Sequence, residues 1–353
     1  MLLPTTATGV LVALLISLIG WGTWAMCYKA TKRIRFEYLA YDFTWGVILA
    51  AVIAAFTLGS WNSKELTFQD NFLLAGLRKM AWAVGSGVVF NLANMMLLAS
   101  TSVSRLSVAF PVTFGVAWAI GSASQYYVRP GVNPLLAFGG ALIVLVAGIL
   151  AFVGYRWFLE DEAHRAIKAL TADPRAKAVT PPADTSTKGF VLALFSGIFF
   201  AIFFAAMQET LSGDNGVASY GAALILSTGV FGSSIVMVPF FLNFPVRGKP
   251  LAVRQYLQLE RRQHVWGVLA GVVWTVGLLG GLVVFGVPAA IQPSPVVGFL
   301  LSHSAPLLTA ALGLVVYREL PEAPTKVHAM MGAMFVLMLA GMGMIALSPI
   351  YGR

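Results

Sequence analysis

Ten apolar runs, each about as long as a membrane-crossing helix, account for most of the 353-residue chain. They are 9–29, 39–58, 80–99, 106–127, 134–155, 189–210, 219–243, 264–286, 295–316 and 326–347. Only 10% of the residues are charged and 58% are hydrophobic, more apolar surface than a water-soluble fold of this size can bury. The sequence therefore predicts an all-α polytopic membrane protein with ten transmembrane helices.

Lys and Arg are unevenly divided between the two sides of the predicted membrane. One side holds 18 of the 23: Lys29, Lys32, Arg33, Arg35, Arg105, Arg156, Arg165, Lys168, Arg175, Lys177, Lys188, Arg247, Lys249, Arg254, Arg261, Arg262, Arg318 and Lys326. The other side holds Lys64, Arg78, Lys79, Arg129 and Arg353. Cytoplasmic loops carry the excess of basic residues, so we expect both termini outside. This topology explains the net charge of +9 without a nucleic-acid partner.

The first run predicts a retained helix, because residues 1–8 carry no positive charge and the basic cluster follows the run. The single cysteine, Cys27, excludes an intramolecular disulfide and a cysteine metal cage. We expect a multi-pass protein of the cell membrane, in bacteria the inner membrane, whose partners are the lipid bilayer and a small solute. No cofactor or metal is expected.

The longest polar gap, residues 156–187, separates the first five runs from the last five. Its charged first part predicts a short amphipathic helix, and its Pro/Thr-rich end is typical of a flexible linker. The expected organisation is a first five-helix repeat at 1–155, a cytoplasmic linker loop at 156–187 and a second five-helix repeat at 188–353.

The two halves resemble each other in sequence. SLIGWGTW (17–24) aligns with SGIFFAIF (196–203), GVVF (87–90) with GVVW (271–274), and LSVAFP (106–111) with LSHSAP (301–306). The offsets of 179, 184 and 195 rise in order, as loop insertions would make them. Five spans per half is an odd number, so the second half must be inverted relative to the first. Inverted repeats are typical of secondary transporters, which bind substrate at the repeat interface near the bilayer midplane.

Several segments occur in the order seen in one family of transporters: GTWAMCYK, RFEYLAYDFTWG, GVVFNLAN, SVAFPVTFGVAWAIG, HVWGVLAGVVWTVG and YRELPEAPTKVHAMMGAMFVLMLAG. Together they resemble the glucose/ribose porter and ureide permease branch of the drug/metabolite transporter superfamily, and more distantly the L-rhamnose–proton symporters. The resemblance spans nearly the whole chain. It implies ten helices, outside termini, and proton-driven uptake of a small polar organic solute, for which a sugar is favoured over a ureide or nucleobase.

Plant ureide permeases carry a nucleotide-binding-like motif in the central loop, and this chain departs from that pattern. Residues 156–187 contain no Gly-x4-Gly-Lys-Ser/Thr sequence, whose amides and lysine would cradle phosphate. ATP is therefore not expected as the energy source, and a ureide-specific interpretation is weakened.

Two amides, Asn91 and Asn94, lie midway along the third apolar run, three residues apart on one helix face. A lipid-facing amide would cost several kcal/mol, so both must face protein or a cavity. We expect them to bind the solute, and the alternative is hydrogen bonding between helices.

Acidic residues mark the start of the second run. Asp42 falls a few residues inside the membrane, where a carboxyl is costly and usually functional, and Glu37 lies at the boundary. Both are candidates for proton coupling or gating. The alternative is a salt bridge to Arg33 or Arg35 that closes an inner gate.

Two further polar positions are candidates. His303, in the ninth run, has a side chain that titrates near physiological pH, and the alternative role is packing against Ser302 or Ser304. Gln208 and Glu209 end the sixth run and are expected at an outer vestibule that contacts the solute and gates its entry.

Aromatic and proline residues complete the predicted site. Ring faces suit sugar C–H groups or planar bases, although aromatic stripes also serve packing. The candidates are Trp21, Trp24, Phe110, Phe203 and Trp274, together with Phe200. Pro111 and Pro306 occupy equivalent places in the fourth and ninth runs, where both helices are expected to kink and form a hinge.

These features predict a proton-coupled importer that works by alternating access, with the solute between spans 1, 3, 4, 6, 8 and 9. An exporter or channel of the same superfamily is the first alternative. An integral-membrane enzyme is a remote one, because the chain has no His-Glu-x-x-His or Gly-x-Ser-x-Gly motif. The sequence leaves monomer and homodimer equally open.

Overall fold

The computed structural model describes residues 1–31, 34–61, 67–128, 131–172, 185–285 and 287–352. Every regular element in this part of the chain is helical. Outside the described residues lie Lys32, Arg33, Lys64, Arg129, Arg175, Lys177, Arg353 and the Pro/Thr-rich part of the expected linker, residues 173–184.

Thirteen α-helices follow one another along the described chain. They are α1 (Ala7–Thr23), α2 (Met26–Ala30), α3 (Phe36–Phe56), α4 (Phe68–Leu74), α5 (Leu77–Val103), α6 (Leu106–Val128), α7 (Pro134–Ala172), α8 (Ser186–Leu211), α9 (Ser219–Asn243), α10 (Arg261–Leu282), α11 (Pro295–His303), α12 (Ala305–Val315) and α13 (Thr325–Leu347).

The ten predicted spans can be matched to these helices. In the described residues, nine helical stretches are long and apolar enough to cross a membrane, and the number is ten if α11 and α12, bent by 46° where they meet, are taken together as one broken span. The first span joins α1 and α2 across a turn at Trp24 and Ala25. Spans two to eight are α3, α5, α6, α7, α8, α9 and α10, and the tenth is α13. The prediction of a polytopic helical membrane protein is confirmed.

The fifth span is much longer than its apolar run. Its helix continues through Arg156 to Ala172, so the short amphipathic helix expected after residue 155 is an extension of the span. Arg165 supports the extension by pairing with Asp161 one turn earlier at 2.9 Å and with Glu322 at 2.8 Å. The charged stretch stays helical because such i, i+4 pairs favour continuation of the helix.

Contacts between spans follow a repeated pattern. The third span packs on the sixth and seventh, and the eighth packs on the first and second. The fourth span packs on the fifth and sixth, and the ninth on the tenth and first. Each contact within this set has a counterpart displaced by five spans, which is the pattern that two related halves produce.

Glycines bring the backbones of two span pairs into direct contact. Gly46 faces Gly271 between the second and eighth spans, and Gly87 faces Gly229 between the third and seventh. A Cβ added at Gly46, Gly271, Gly87 or Gly229 would lie 2.0, 2.1, 2.1 or 2.2 Å from a carbonyl oxygen of the facing helix. No larger residue fits at these positions, since small residues are what allow membrane helices to approach this closely.

Replacing Gly87 by alanine should therefore destabilise the bundle, because its Cβ would meet the carbonyl oxygen of Leu226. We expect a loss of about 1–3 kcal/mol, measured as a lower Tm of the detergent-purified protein. The matched control is Gly85→Ala, two residues away, where an added Cβ meets nothing within 4 Å. That change should be neutral or stabilise the helix by about 0.5–1 kcal/mol. Equal Tm values for the two variants would contradict the packing described.

Candidate solute-binding site

A cavity walled by aromatic rings lies at the centre of the bundle, and we call it the aromatic cavity. Spans 1, 3, 4, 6, 8 and 9 all contribute to it. The lining residues are Trp21, Trp24, Phe90, Leu97, Phe110, Phe114, Phe200, Phe203, Phe204, Trp274, Ala305 and Pro306. The aromatic candidates from the sequence are thus brought together in one place.

The aromatic cavity is nearly closed in this structure. The space between its side chains amounts to about 380 Å³, within the usual range for small-molecule sites. Within it, the centre of a water molecule can occupy only about 30 Å³. The volume available to the centre of a water molecule decides what fits, because the total space between the side chains includes space open to solvent. A solute larger than water must therefore part the rings.

Ring pairs in the cavity repeat between the halves. The Trp21 ring stacks on Trp274, with centroids 6.2 Å apart and planes 15° apart. The positions aligned with them in the other half, Phe200 and Phe90, have centroids 5.9 Å apart. Phe90 and Trp274 meet at 4.1 Å across the centre. Two aligned pairs of rings thus form the middle of the cavity.

Trp24 is packed into the protein core as well as lining the cavity. It is only 4% exposed and lies at the turn that interrupts the first span. Its ring packs on Phe43 at 5.2 Å and on Phe110 at 6.2 Å. Both Trp24 and Phe110 therefore line the cavity and join it to the surrounding core.

The two amides of the third span have different environments. Asn91 donates to the Ser233 hydroxyl at 2.9 Å, which connects the third span to the seventh. Asn94 is 1% exposed, and neither its amide nitrogen nor its oxygen has a partner among the described residues. Asn94 lies on the same helix face as Phe90 and Leu97, four residues after one and three before the other.

Some of the buried polar atoms that lack a partner in the described chain lie in or near the aromatic cavity, although of their residues only Trp21 lines it. Trp21 contributes a buried indole N–H without a partner in the described chain, in addition to the complete amide of Asn94. The oxygen of the Asn91 amide is also unpartnered there. Buried polar groups are normally hydrogen-bonded, so buried polar atoms without a partner need a physical explanation. A bound solute would supply the missing partners.

An unpartnered amide lowers stability, so Asn94→Leu should raise the Tm of the solute-free protein. Leaving a polar group buried and unsatisfied costs about 1–3 kcal/mol, which the leucine avoids. Asn91→Leu is the comparison, because it removes the bond to Ser233 and should give a smaller gain or a loss. If Asn94→Leu lowered the Tm as much as Asn91→Leu, the Asn94 amide would be partnered inside the protein.

An acidic centre lies at one end of the second span. The Asp42 carboxylate is 2% exposed, and its two oxygens lie 2.9 and 3.0 Å from Nδ1 of His264 in the eighth span. The Tyr256 hydroxyl donates a further hydrogen bond to it. Gly267 makes room, because a Cβ there would lie 2.3 Å from the Asp42 Cβ. We call Asp42, His264 and Tyr256 the acidic centre.

The partners of Asp42 were not predicted from the sequence. Tyr256 belongs to the loop before the eighth span, and burial together with the Asp42 carboxylate raises the pKa of its hydroxyl, which keeps it a donor. His264 is the first residue of the eighth apolar run. An ionisable side chain at the edge of an apolar run was the available signal for it.

Of the two salt-bridge partners considered for the start of the second span, Arg35 has an acidic partner and Arg33 lies outside the described residues. Arg35 pairs with Glu37 through two nitrogens, at 2.6 and 3.2 Å, and the Glu37 side chain is fully buried. Asp42 lies seven residues after Arg35 and meets His264 and Tyr256 instead. The two acids therefore have separate partners.

Glu319 closes the same end of the bundle. Its carboxylate accepts from the backbone N–H groups of Leu106 and Ser107, which begin the fourth span, and lies 2.7 Å from the Lys29 ammonium. Burial by itself would raise its pKa, but Lys29 and the two amides outweigh burial, and the net shift is downward. Its contribution to stability is thus present at neutral pH and is lost as the pH falls through its folded pKa.

The remaining candidates are spread over the molecule. The His303 ring stacks on Phe299 at 4.1 Å, and its Nδ1 lies 2.7 Å from the Ser302 hydroxyl. Gln208 lies within 3.4 Å of the Gln125 amide, and Glu209 pairs with Lys79 at 3.4 Å, at the far end of the sixth span. These polar residues do not line the aromatic cavity.

The two prolines differ in their surroundings. Pro306 follows the 46° bend of the ninth span, next to the break at Ser304. Pro111 lies within the single continuous helix of the fourth span. Near a helix start, the missing N–H of a proline frees only one carbonyl, here that of Ser107, and the helix continues. The ninth span is thus bent next to its proline and the helix of the fourth span is unbroken at Pro111, while the hinge expected at the two prolines stays a prediction.

Comparison with known proteins gives a consistent set of distant relatives. No family model matches the chain. Ureide permease 2 of Arabidopsis thaliana is 21% identical over 99% of this chain and 99% of its own length. Ureide permease 1 of the same plant is 21% identical over 96% and 97%. Probable ureide permease A3 of Vigna unguiculata is 22% identical over 75% of this chain and 85% of its own.

A solved structure agrees with the fold. A protein of known crystal structure superposes with a TM-score of 0.54 over 96% of both chains, at 16% identity. At that identity the match concerns the fold alone. The sequence relatives carry the functional information, and the chain is distantly similar, over nearly its whole length, to ureide permeases.

Proposed function

We propose that the protein is a secondary transporter that binds a small polar solute in the aromatic cavity and imports it by alternating access. The distant similarity to permeases supports transport of a small polar solute, and argues against an enzyme. The repeated contacts between spans support two inverted halves, 1–155 and 188–353, joined by the linker. In this proposal both termini lie outside, as the distribution of basic residues indicates.

The unpartnered amide of Asn94 is the observation that carries the choice of solute. A carboxamide with both atoms free can form two parallel hydrogen bonds to an edge that offers one acceptor and one donor, as Asn does with adenine. Ureides and nucleobases have such edges. Their flat faces also suit the stacked rings of Trp21 and Trp274.

A sugar, favoured by the sequence analysis, fits this cavity less well. Its hydroxyls project around the ring, and each one left without a partner on burial costs about 1–3 kcal/mol. Among its lining residues only the three tryptophans carry a polar side-chain atom, and Asn94 lies on the helix face of Phe90 and Leu97, which line it. We therefore place ureides and nucleobases ahead of sugars.

Thermal stabilisation of the purified protein by a panel of ureides, nucleobases and sugars tests this proposal. A ligand at about 100 times its Kd adds roughly 2.7 kcal/mol, which a Tm shift reveals. We expect stabilisation by a planar ureide or base, and its loss in Asn94→Leu, whose fold is intact by the prediction above. A response to sugars alone would overturn the choice of solute, and silence across the panel would overturn the proposed site.

The acidic centre is the proposed site of proton coupling. Asp42 is buried between two spans of different halves, and one of its partners is the imidazole of His264. Protonation of the carboxylate would weaken its attraction to His264 and allow the second and eighth spans to separate at this end. His303, whose Nδ1 bonds locally to Ser302 and the Phe299 carbonyl, connects no two spans in this way.

Neutralising the acid should uncouple transport. In liposomes, Asp42→Asn is expected to lose concentrative uptake but to keep exchange of labelled solute, because exchange needs no net proton movement. The control is Asp214→Asn, at an exposed position in the loop after the sixth span. Concentrative uptake by Asp42→Asn at the rate of the control would remove the acidic centre from the mechanism.

A further inference from the structure

A second cavity, which we call the lateral cavity, lies between the second and seventh spans. Tyr41, Ile235, Val238, Pro239, Leu242 and Val253 contribute to its wall. The space amounts to about 570 Å³, and the centre of a water molecule can occupy about 220 Å³ of it. The aromatic cavity offers about 30 Å³ by the same measure. The lateral cavity is thus much the roomier of the two and plays no part in the proposed solute site.

The lateral cavity lies beside the lipid-facing surface of the seventh span. Ile235 lines the cavity and is 60% exposed. The neighbouring Val236 is 72% exposed and Phe240 is 55% exposed. Apolar side chains exposed in the middle of a membrane helix face hydrocarbon. The cavity is therefore accessible from the bilayer.

The wall of the cavity is largely apolar in effect, because three of its four side-chain hydroxyls already donate hydrogen bonds within the protein. Tyr38 donates to the Ala252 carbonyl at 2.9 Å, Ser234 donates to the Phe231 carbonyl at 2.6 Å, and Tyr256 donates to Asp42. A polar occupant would leave its own groups without partners. A hydrocarbon chain needs no hydrogen bonds.

Positive charge surrounds the polar end of the cavity. Residues 244–262, which join the seventh and eighth spans, contain five basic residues and one acid, Glu260. Lys249 and Arg254 are exposed and form no ion pair within the described residues. Arg254 directly follows Val253, which lines the cavity.

The same loop is held close to the second span. Tyr38 binds the Ala252 carbonyl, and Arg35 reaches the Lys249 carbonyl at 3.5 Å. Exposed apolar side chains accompany the cations, with Leu257 at 78% exposure and Val253 at 59%. Basic residues interleaved with exposed apolar ones at a membrane boundary are typical of surfaces that bind anionic lipids.

We propose that the lateral cavity binds an anionic phospholipid. One acyl chain enters between the second and seventh spans, and the headgroup phosphate contacts Lys249 and Arg254. Tyr256 contributes to the wall and also donates to Asp42, so the lipid would adjoin the acidic centre. The site does not depend on which solute is carried, or on whether the protein transports at all.

The test is lipid binding to the full-length protein in detergent, with dioleoyl phosphatidylglycerol as the probe and dioleoyl phosphatidylcholine as its zwitterionic counterpart. Saturable stabilisation of the wild type by phosphatidylglycerol alone is expected. Ile235→Trp fills the cavity and should abolish it. Lys249→Gln with Arg254→Gln should weaken it about 30-fold, since each cation near an anionic headgroup contributes about a fivefold change.

Val236→Trp is the matched control, because the adjacent side chain is exposed but does not line the cavity. It should bind phosphatidylglycerol as the wild type does. The proposal requires contacts to both the acyl chain and the headgroup. It would be overturned if the wild type bound both lipids equally. It would also be overturned if either Ile235→Trp or the double Gln variant bound phosphatidylglycerol as fully as the wild type. If Ile235→Trp does not fold, the double Gln variant, which changes only exposed side chains, still tests whether phosphatidylglycerol binds at this site.

Discussion

Direct backbone contact between helices at paired glycines is the constraint on which the rest of this structure depends. Gly46 with Gly271, and Gly87 with Gly229, bring the second span against the eighth and the third against the seventh. In a membrane, lipid is as apolar as the helix surface, so association rests on close packing. The contacts also join the first half of the chain to the second.

This packing places the remaining parts of the site. The second and seventh spans pack on each other. The third span, held on the seventh at Gly87, and the eighth, held on the second at Gly271, therefore lie close enough for Phe90 and Trp274 to meet at 4.1 Å. Asn94 follows one turn later and is left without a partner in the described chain. At the other end of the second span, Gly267 admits the Asp42 side chain beside His264. One set of close contacts thus connects the solute site with the acidic centre.

Much of the fold was predictable from the sequence, because lipid as solvent requires helices of a given length and apolarity. The ten runs and the meeting of spans 1, 3, 4, 6, 8 and 9 follow from hydropathy and the internal repeat. The different environments of Asn91 and Asn94 could not be predicted from hydropathy or from the repeat. Positions three apart on a helix differ by about 60° in direction, enough to aim the Asn91 amide at Ser233 in the seventh span and leave the Asn94 amide without a partner in the described chain.

Of the acidic centre, the sequence allows Asp42 to be predicted but not its two partners. Asp42 is conspicuous in the sequence as an acid inside an apolar run. His264 lies 222 residues away and Tyr256 lies 214 away, and neither pairing has a sequence pattern. Their approach depends on how the loop after the seventh span returns across the end of the second, fixed by the Tyr38 bond to Ala252. Contacts of that kind are visible only in three dimensions.

Proton-coupled import can be measured as the accumulation of a labelled ureide by protein-containing liposomes under an inward proton gradient. The solute is expected to rise above its external concentration, and an uncoupler should abolish the excess. Uptake that stops at the external concentration, and is the same with and without the uncoupler, would contradict proton-coupled import.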